Sequence, residues 1–215
     1  MNQPLDADTK RPVLAIASAN AGKLHEFESL LGPVVDVRSL SAFGVESPEE
    51  TGATFEDNAV LKARHLHQVT GAAVLADDSG LEVTALNGEP GVLSARYAGD
   101  GHDDAANRRL LLDRMASVPD EDRSARFVAA IAVIDAQGAL TVVHGTCEGS
   151  INREERGTGG FGYDSLFELP SGKSMAELLP SEKNVISHRA QAIALAMPHV
   201  RRALGLPEES EADPA

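Results

Sequence analysis

Two carboxylates stand side by side at Asp77 and Asp78 in AVLADDSGLEV (73–83), where apolar strand-forming residues stop and then resume after Ser79-Gly80. Successive side chains on a strand point to opposite faces, so these two acids are not a pair sharing one proton. One of them can face a cleft while its neighbour is held by backbone donors in a turn at Ser79-Gly80. A carboxylate at a strand end suits a hard cation such as Mg2+, which takes oxygen ligands and keeps several waters. An Asx turn ending the strand is the plainer alternative, and spacing alone does not assign the two roles.

Three further segments carry suitable groups. SANAGK (18–23) follows an apolar run and opens a helical pattern. Its small residues allow close backbone approach, and helix N-terminal N–H groups with Lys23 favour an anion. It lacks the GxxxxGK[ST] phosphate loop, and an ordinary turn capped by Ser18 or Asn20 has the same composition. PEETGATFEDNAVLKA (48–63) places Glu49 and Glu50 before a Thr54/Asp57 capping box, with Lys62 one turn after Asn58 on the same helical face. GTGGFGYD (157–164) has four glycines among its first six residues, leaving Phe161 and Tyr163 at a tight turn where an aromatic could stack on a base. In SEKNVISHR (181–189), Lys183, His188 and Arg189 gather at the start of the final helix. Cations there oppose the macrodipole, which points to a bound anion. Of the five lysines in the chain, Lys23, Lys62 and Lys183 fall inside these segments, a pattern suited to neutralising a polyphosphate.

The elements that must position these groups follow from periodicity. VLAIAS (13–18) is a buried strand, and Leu24, Phe27 and Leu31 form a helical stripe stopped by Gly32-Pro33. VVDVRSL (34–40) alternates as a strand, and the capping box opens a helix to about Val69. AVLADD and LEVTAL read as two strands, followed by a polar loop to about Asp100 and a helix over 103–117. ARFVAAIAVID and ALTVVHGTCEGSI flank a hairpin at Ala136-Gln137-Gly138, and Ser187 caps a last helix kinked at Pro198. Strands and helices mix without strict βαβ alternation, which predicts an α/β protein with a mixed sheet.

Charge and composition exclude several functions. A formal net charge of −14 argues against duplex nucleic acid, and scarce aromatics argue against a single-strand stacking platform. No apolar run reaches the length of a membrane span. The polar N-terminus is not a secretory signal, and the lone Cys147 fits a reducing cytoplasm. Residues 1–11 read as a flexible leader, 12–206 as the folded unit, and 207–215 as a disordered acidic tail.

Taken in order, ASANAGKLHEF, EETGATFEDNAVLKARH, LADDSGLEV with GEPGVLSARYAG, GTGGFGYDSLF and EKNVISHRAQA resemble the inosine triphosphate pyrophosphatase family, from about Val13 to Leu204. The resemblance implies an elongated mixed β-sheet with flanking helices, two lobes around a central cleft, and a homodimer. It also implies Mg2+-dependent removal of pyrophosphate from ITP, dITP and XTP. By the same resemblance Ser18, Ala19, Asn20, Ala21, Gly22 and Lys23 would bind the triphosphate, with Lys62 nearby. Asp78 would be the catalytic carboxylate and metal partner, Ser79 a substrate contact, and Glu49 or Glu50 a second metal ligand. Phe161, Gly162, Tyr163 and Asp164 would receive the base, and Lys183, His188 and Arg189 would read its 6-oxo edge or the phosphates. Two departures stand out: Ser18-Ala19 for the usual Thr-Gly, and Ser165 for the usual proline after FGYD. Competing readings are a Maf-type pyrophosphatase of modified pyrimidine nucleotides and a nucleotide-binding regulator without hydrolysis.

Overall fold

The computed structural model describes residues 11–208. The expected leader and acidic tail therefore lie outside the described residues, except for 11, 207 and 208. The chain order is β1 (Val13–Ile16), α1 (Ala21–Leu31), β2 (Asp36–Ser39), α2 (Phe55–Thr70), β3 (Val74–Val83), α3 (Asp104–Arg114), β4 (Ser124–Ile134), β5 (Leu140–Ile151), β6 (Phe167–Glu168), α4 (Pro180–Ile186) and α5 (His188–Ala203), with short 3-10 turns between. They build one mixed sheet in the order β2-β1-β3-β4-β5-β6. β2, β1 and β3 run parallel, and β3 to β6 are antiparallel neighbours.

The helices start where their sequences place caps. Asn20 accepts the Lys23 N–H at 2.9 Å and opens α1, so Asn20 rather than Ser18 is the cap. Thr54 and Asp57 exchange both capping-box bonds at the head of α2, which closes on Gly71 in the left-handed region. Phe27 and Leu31 of α1, with Ala192, Ile193, Ala196 and Val200 of α5, cover one sheet face through Leu14, Ile16, Leu75 and Ile131. The opposite face, Ala15, Val74, Ala76, Ala130 and Ala132, packs beneath Phe55, Ala59, Ala63 and Leu66 of α2. Farther along β3 to β5 a separate core gathers Leu81, Val83, Phe127, Ile151 and Phe167 with Leu111 of α3 and Met115 just past its end, the second lobe. Leu111 thus serves that core. Among the described residues no helix is long and apolar enough to cross a membrane.

Two expectations change. β3 does not break at the double aspartate: it is paired with β4 from Val74↔Ile134 to Val83↔Ala125, through Asp77↔Ile131 and Asp78↔Ala130. The charges stay in the ladder because each meets a cation from a flanking helix, as shown below. Lys183 belongs to a separate short helix, α4, with Ser187 ending it and capping α5.

α5 reaches the sheet closely enough to deliver its first residues to the cleft because Gly145 of β5 has no side chain. A Cβ there would lie 2.2 Å from the His188 carbonyl oxygen and 2.5 Å from the Ala192 nitrogen, both backbone atoms that cannot step aside. Gly145→Ala is expected to cost about 2 kcal/mol or more through overpacking, lowering the thermal midpoint by roughly 4–8 °C. A midpoint within about 1 °C of wild type in a calorimetric scan would contradict this close seating.

Candidate active site

The middle of β3 separates its two acids as the pleat requires. Asp77 points toward α1 and α5, where its side chain is fully buried: Lys23 Nζ lies 2.5 Å from Oδ2 and Arg189 Nε 3.4 Å from Oδ1. The Ser79 hydroxyl donates to Asp77 at 3.0 Å and accepts from Arg189 at 2.7 Å. Burial alone would raise Asp77's carboxyl, but the Lys23 ammonium and Arg189 guanidinium outweigh it and hold the group well below the usual carboxylate range. Asp77 is therefore held by cationic side chains and not by backbone donors in a turn.

Asp78 points to the α2 side. Lys62 Nζ donates to its Oδ1 at 2.7 Å and Asn58 Nδ2 to its Oδ2 at 3.2 Å, so the two residues on one face of α2 grip one carboxylate. Lys62 donates at the same time to Glu50 at 2.8 Å. Asn58, completely buried, also accepts the Gly52 N–H at 2.7 Å and ties the acidic loop to the strand. Burial pushes Asp78's carboxyl up despite Lys62 and Lys23. For Lys62 the order reverses, and Asp78 with Glu50 raises its ammonium against the desolvation that would lower it. Arg96 braces Glu50 from the far side, at 3.5 Å to Oε2 and 3.3 Å to its carbonyl. Glu49 is exposed at the cleft, with no ion pair among the described residues.

The second side of the cleft is a network of opposite charges. Glu26 of α1 accepts from Arg189 and lies 2.9 Å from Lys183 Nζ, which also donates to Asp164 at 2.6 Å. Asp164 receives the Phe161 N–H at 2.9 Å. These carboxylates, not an external anion, offset the cations at the head of α5; the expectation of an anion from local charge fails because its neutralisers come from α1, β3 and the glycine turn. His188 is buried and stacked on Phe127 at 4.9 Å, and burial lowers its ring well below the ordinary value, so it is neutral with Nδ1 unpartnered. Phe161 packs against Gly22, where a Cβ would come within 2.7 Å of the ring, and Lys183 sits 5.0 Å from its centroid. Tyr163 is not a stacking surface: its ring belongs to the second core and its hydroxyl donates to the Ser94 carbonyl at 2.8 Å.

A cleft of about 730 Å3 joins the two sides. Ser18, Ala19, Asn20, Lys23, Glu49, Glu50, Lys62, Asp78, Ser79, Phe161, Gly162, Tyr163, Asp164, Lys183, His188 and Arg189 line it; Ala21 and Gly22 lie just behind, on the first turn of α1. Sequence reasoning missed Glu26, Arg96 and Ser94. It placed Asn58 with Lys62 on one helical face without giving Asn58 a role, whereas Glu26 and Arg96 reach the site only through the fold. Among the described residues no group of three or more His, Cys, Asp or Glu side chains is arranged to hold a metal alone. Asp78 with Glu49 or Glu50 supplies hard oxygen donors and leaves the remaining positions to water or a ligand's oxygens, a set that fits Mg2+.

A mixed sheet whose central strand carries a lysine-gripped carboxylate into a cleft, with cations and an aromatic turn opposite, defines an α/β protein with a charge-lined cleft between its helices. Its family follows from comparison: the chain belongs to the Ham1 family, whose profile matches residues 14–199. It is 50% identical over 196 residues to the dITP/XTP pyrophosphatase of Pseudomonas aeruginosa, covering 90% of this chain and 97% of that one. A dITP/XTP pyrophosphatase of Mycobacterium tuberculosis is also 50% identical, over 87% of this chain and 95% of its own. Among solved structures, a HAM1 protein from Coxiella burnetii superposes with a TM-score of 0.80 at 43% identity, covering 89% of this chain and 99% of that one.

The two aspartates should respond differently to neutralisation. Asp77→Asn leaves Lys23 and Arg189 short of a buried counter-charge and is expected to cost about 3–5 kcal/mol. Asp78→Asn weakens the hold on Lys62, which keeps Glu50 as a counter-charge, and should cost less, about 1.5–3 kcal/mol. Urea unfolding of both variants checks this, and an equal or reversed order would contradict the division of roles.

Proposed function

We infer that this protein is a nucleoside triphosphate pyrophosphohydrolase that converts dITP, ITP and XTP to the monophosphate and pyrophosphate, removing non-standard purines from the nucleotide pool. One observation carries the reading: a single cleft presents a gripped carboxylate and oxygen donors on one side and an aromatic turn with cations on the other. Its near full-length match to relatives named for this activity supports the same reading.

The chain's own groups divide the work as follows. Asn20's side chain takes the Lys23 N–H, and the N–H groups of Ala21 and Gly22, with Ser18 and Ala19 alongside, receive phosphate oxygens at the head of α1. Lys62 and Asn58 fix the plane of Asp78, whose carboxylate takes the proton from water as its oxygen bonds to the α-phosphorus. The bond to the β-phosphate oxygen breaks, and pyrophosphate leaves with that electron pair. Mg2+ held by Asp78 with Glu49 or Glu50 would neutralise phosphate charge and orient the ligand. Glu49 is the better second ligand, because Glu50 is already committed to Lys62 and Arg96. Phe161 supports the purine plane, and Lys183, with neutral His188 and Arg189, faces its 6-oxo edge. A 6-amino group, as in ATP, would set donor against donor there. A cytoplasmic homodimer completes the reading; exposed Leu179, Val185 and Leu195 around α4 and α5 offer apolar surface to a second copy.

Pyrophosphate release across ITP, dITP, XTP, GTP, ATP and UTP tests this. The expected kcat/KM for the first three exceeds that for ATP by roughly 100-fold or more, and chelation of divalent cations abolishes it. Asp78→Asn should lower kcat by about 10²–10⁴. A pyrimidine preference, or full activity in Asp78→Asn, would contradict the assignment.

A further inference from the structure

We propose that the first turns of α3 form a clamp on the base-receiving turn, with Asp104 and Arg108 as positioning residues for purine discrimination; this deepens the nucleotide reading above and rests on it. Asp104 Oδ2 accepts the Gly162 N–H at 2.9 Å, and Arg108 Nη1 donates to the Gly162 carbonyl at 2.9 Å. One residue thus has both its backbone polar groups held by side chains four apart on one helix face. The grip matters because the turn's own bonds run between Phe161 and Asp164 and leave the Gly162 peptide to α3. Gly157, Gly160 and Gly162 all sit at positive φ, 79°, 71° and 59°, and glycine loses the most conformational freedom on being ordered.

The clamp extends to both flanks of the turn. Arg108 Nε lies 2.9 Å from Glu155, which also accepts the Ser165 hydroxyl at 3.0 Å. Ser165 is the residue that stands where proline is usual, and this side-chain link restrains the position that a ring would otherwise stiffen. Inside the turn, the Phe161 N–H binds Asp164, and Asp164 binds Lys183. A shift of the Gly162 peptide would therefore carry Phe161, Asp164 and the Lys183 ammonium with it. Asp104 itself is exposed at the cleft rim, where a single bond adds little to global stability, so its effect belongs in ligand geometry and not in folding.

Hydrogen exchange of the ligand-free protein and steady-state kinetics of Asp104→Ala, Arg108→Ala and Asp104→Asn test the clamp. Both alanine variants should raise deuterium uptake in residues 157–165 while the thermal midpoint stays within about 3 °C of wild type. Their KM for ITP should rise about three- to tenfold with kcat held within about twofold, as expected for losing one hydrogen bond. The ITP-over-ATP ratio of kcat/KM should fall by a similar factor. Asp104→Asn keeps an acceptor oxygen and should restore both exchange and discrimination. Unchanged exchange in both alanine variants, or parallel loss of ITP and ATP turnover, would overturn the clamp. A wild-type enzyme indifferent to the base would overturn the nucleotide reading and the specificity role together, and the exchange data would separate that outcome from a missing clamp.

Discussion

The alternation of side chains along one strand governs this molecule. β3 must run through the middle of the sheet, flanked by β1 and β4, and it carries two adjacent negative charges there. Because the pleat sends them to opposite faces, each needs its own cation from its own layer. α1 and α5 supply Lys23 and Arg189 to Asp77; α2 supplies Lys62 to Asp78. Neither the α1–α5 pair nor α2 could be moved without stranding a buried charge, and a stranded charge costs several kcal/mol. The same requirement that closes the fold also leaves Asp78 facing a cleft in a fixed orientation.

The buried charges are not redundant copies of one another. Asp77 is held ionised by cations that outweigh its desolvation, whereas burial prevails at Asp78 and at Asp164. Asp77 ties α1 and α5 to the sheet through Lys23 and Arg189. Glu26 completes the structural set by joining Lys183 and Arg189, so the Phe161 side of the cleft rests on α1 as the Asp77 side does. Gly22 and Gly80 make the close approaches possible: Phe161 lies over one, and Ser94 crosses the other, where a Cβ would be 2.3 Å from its hydroxyl.

Much of this was legible in the residues. The capping box at Thr54, the Asn58–Lys62 spacing, the glycine turn and the mixed order of strands led to the observed architecture and to a cleft lined by the expected groups. What failed did so for reasons of distance. Two aspartates in a strand look like its end only until Lys23, Lys62 and Arg189 are brought beside them. Three cations at the head of a helix look like an anion site until Glu26, 163 positions from Arg189 in sequence, is folded against them. Tyr163 looked like a stacking surface because no local signal shows that its hydroxyl ends on Ser94. α4 and β6 are too short to display a period of their own.

The most direct measurement of the central claim is a crystal structure with a non-hydrolysable ITP analogue and Mg2+. The account predicts Asp78 turned to the metal and the α-phosphate, with Asp77 still bound to Lys23 and Arg189. An Asp78 carboxylate directed away from the phosphates, or an Asp77 released from its cations to take that place, would contradict it.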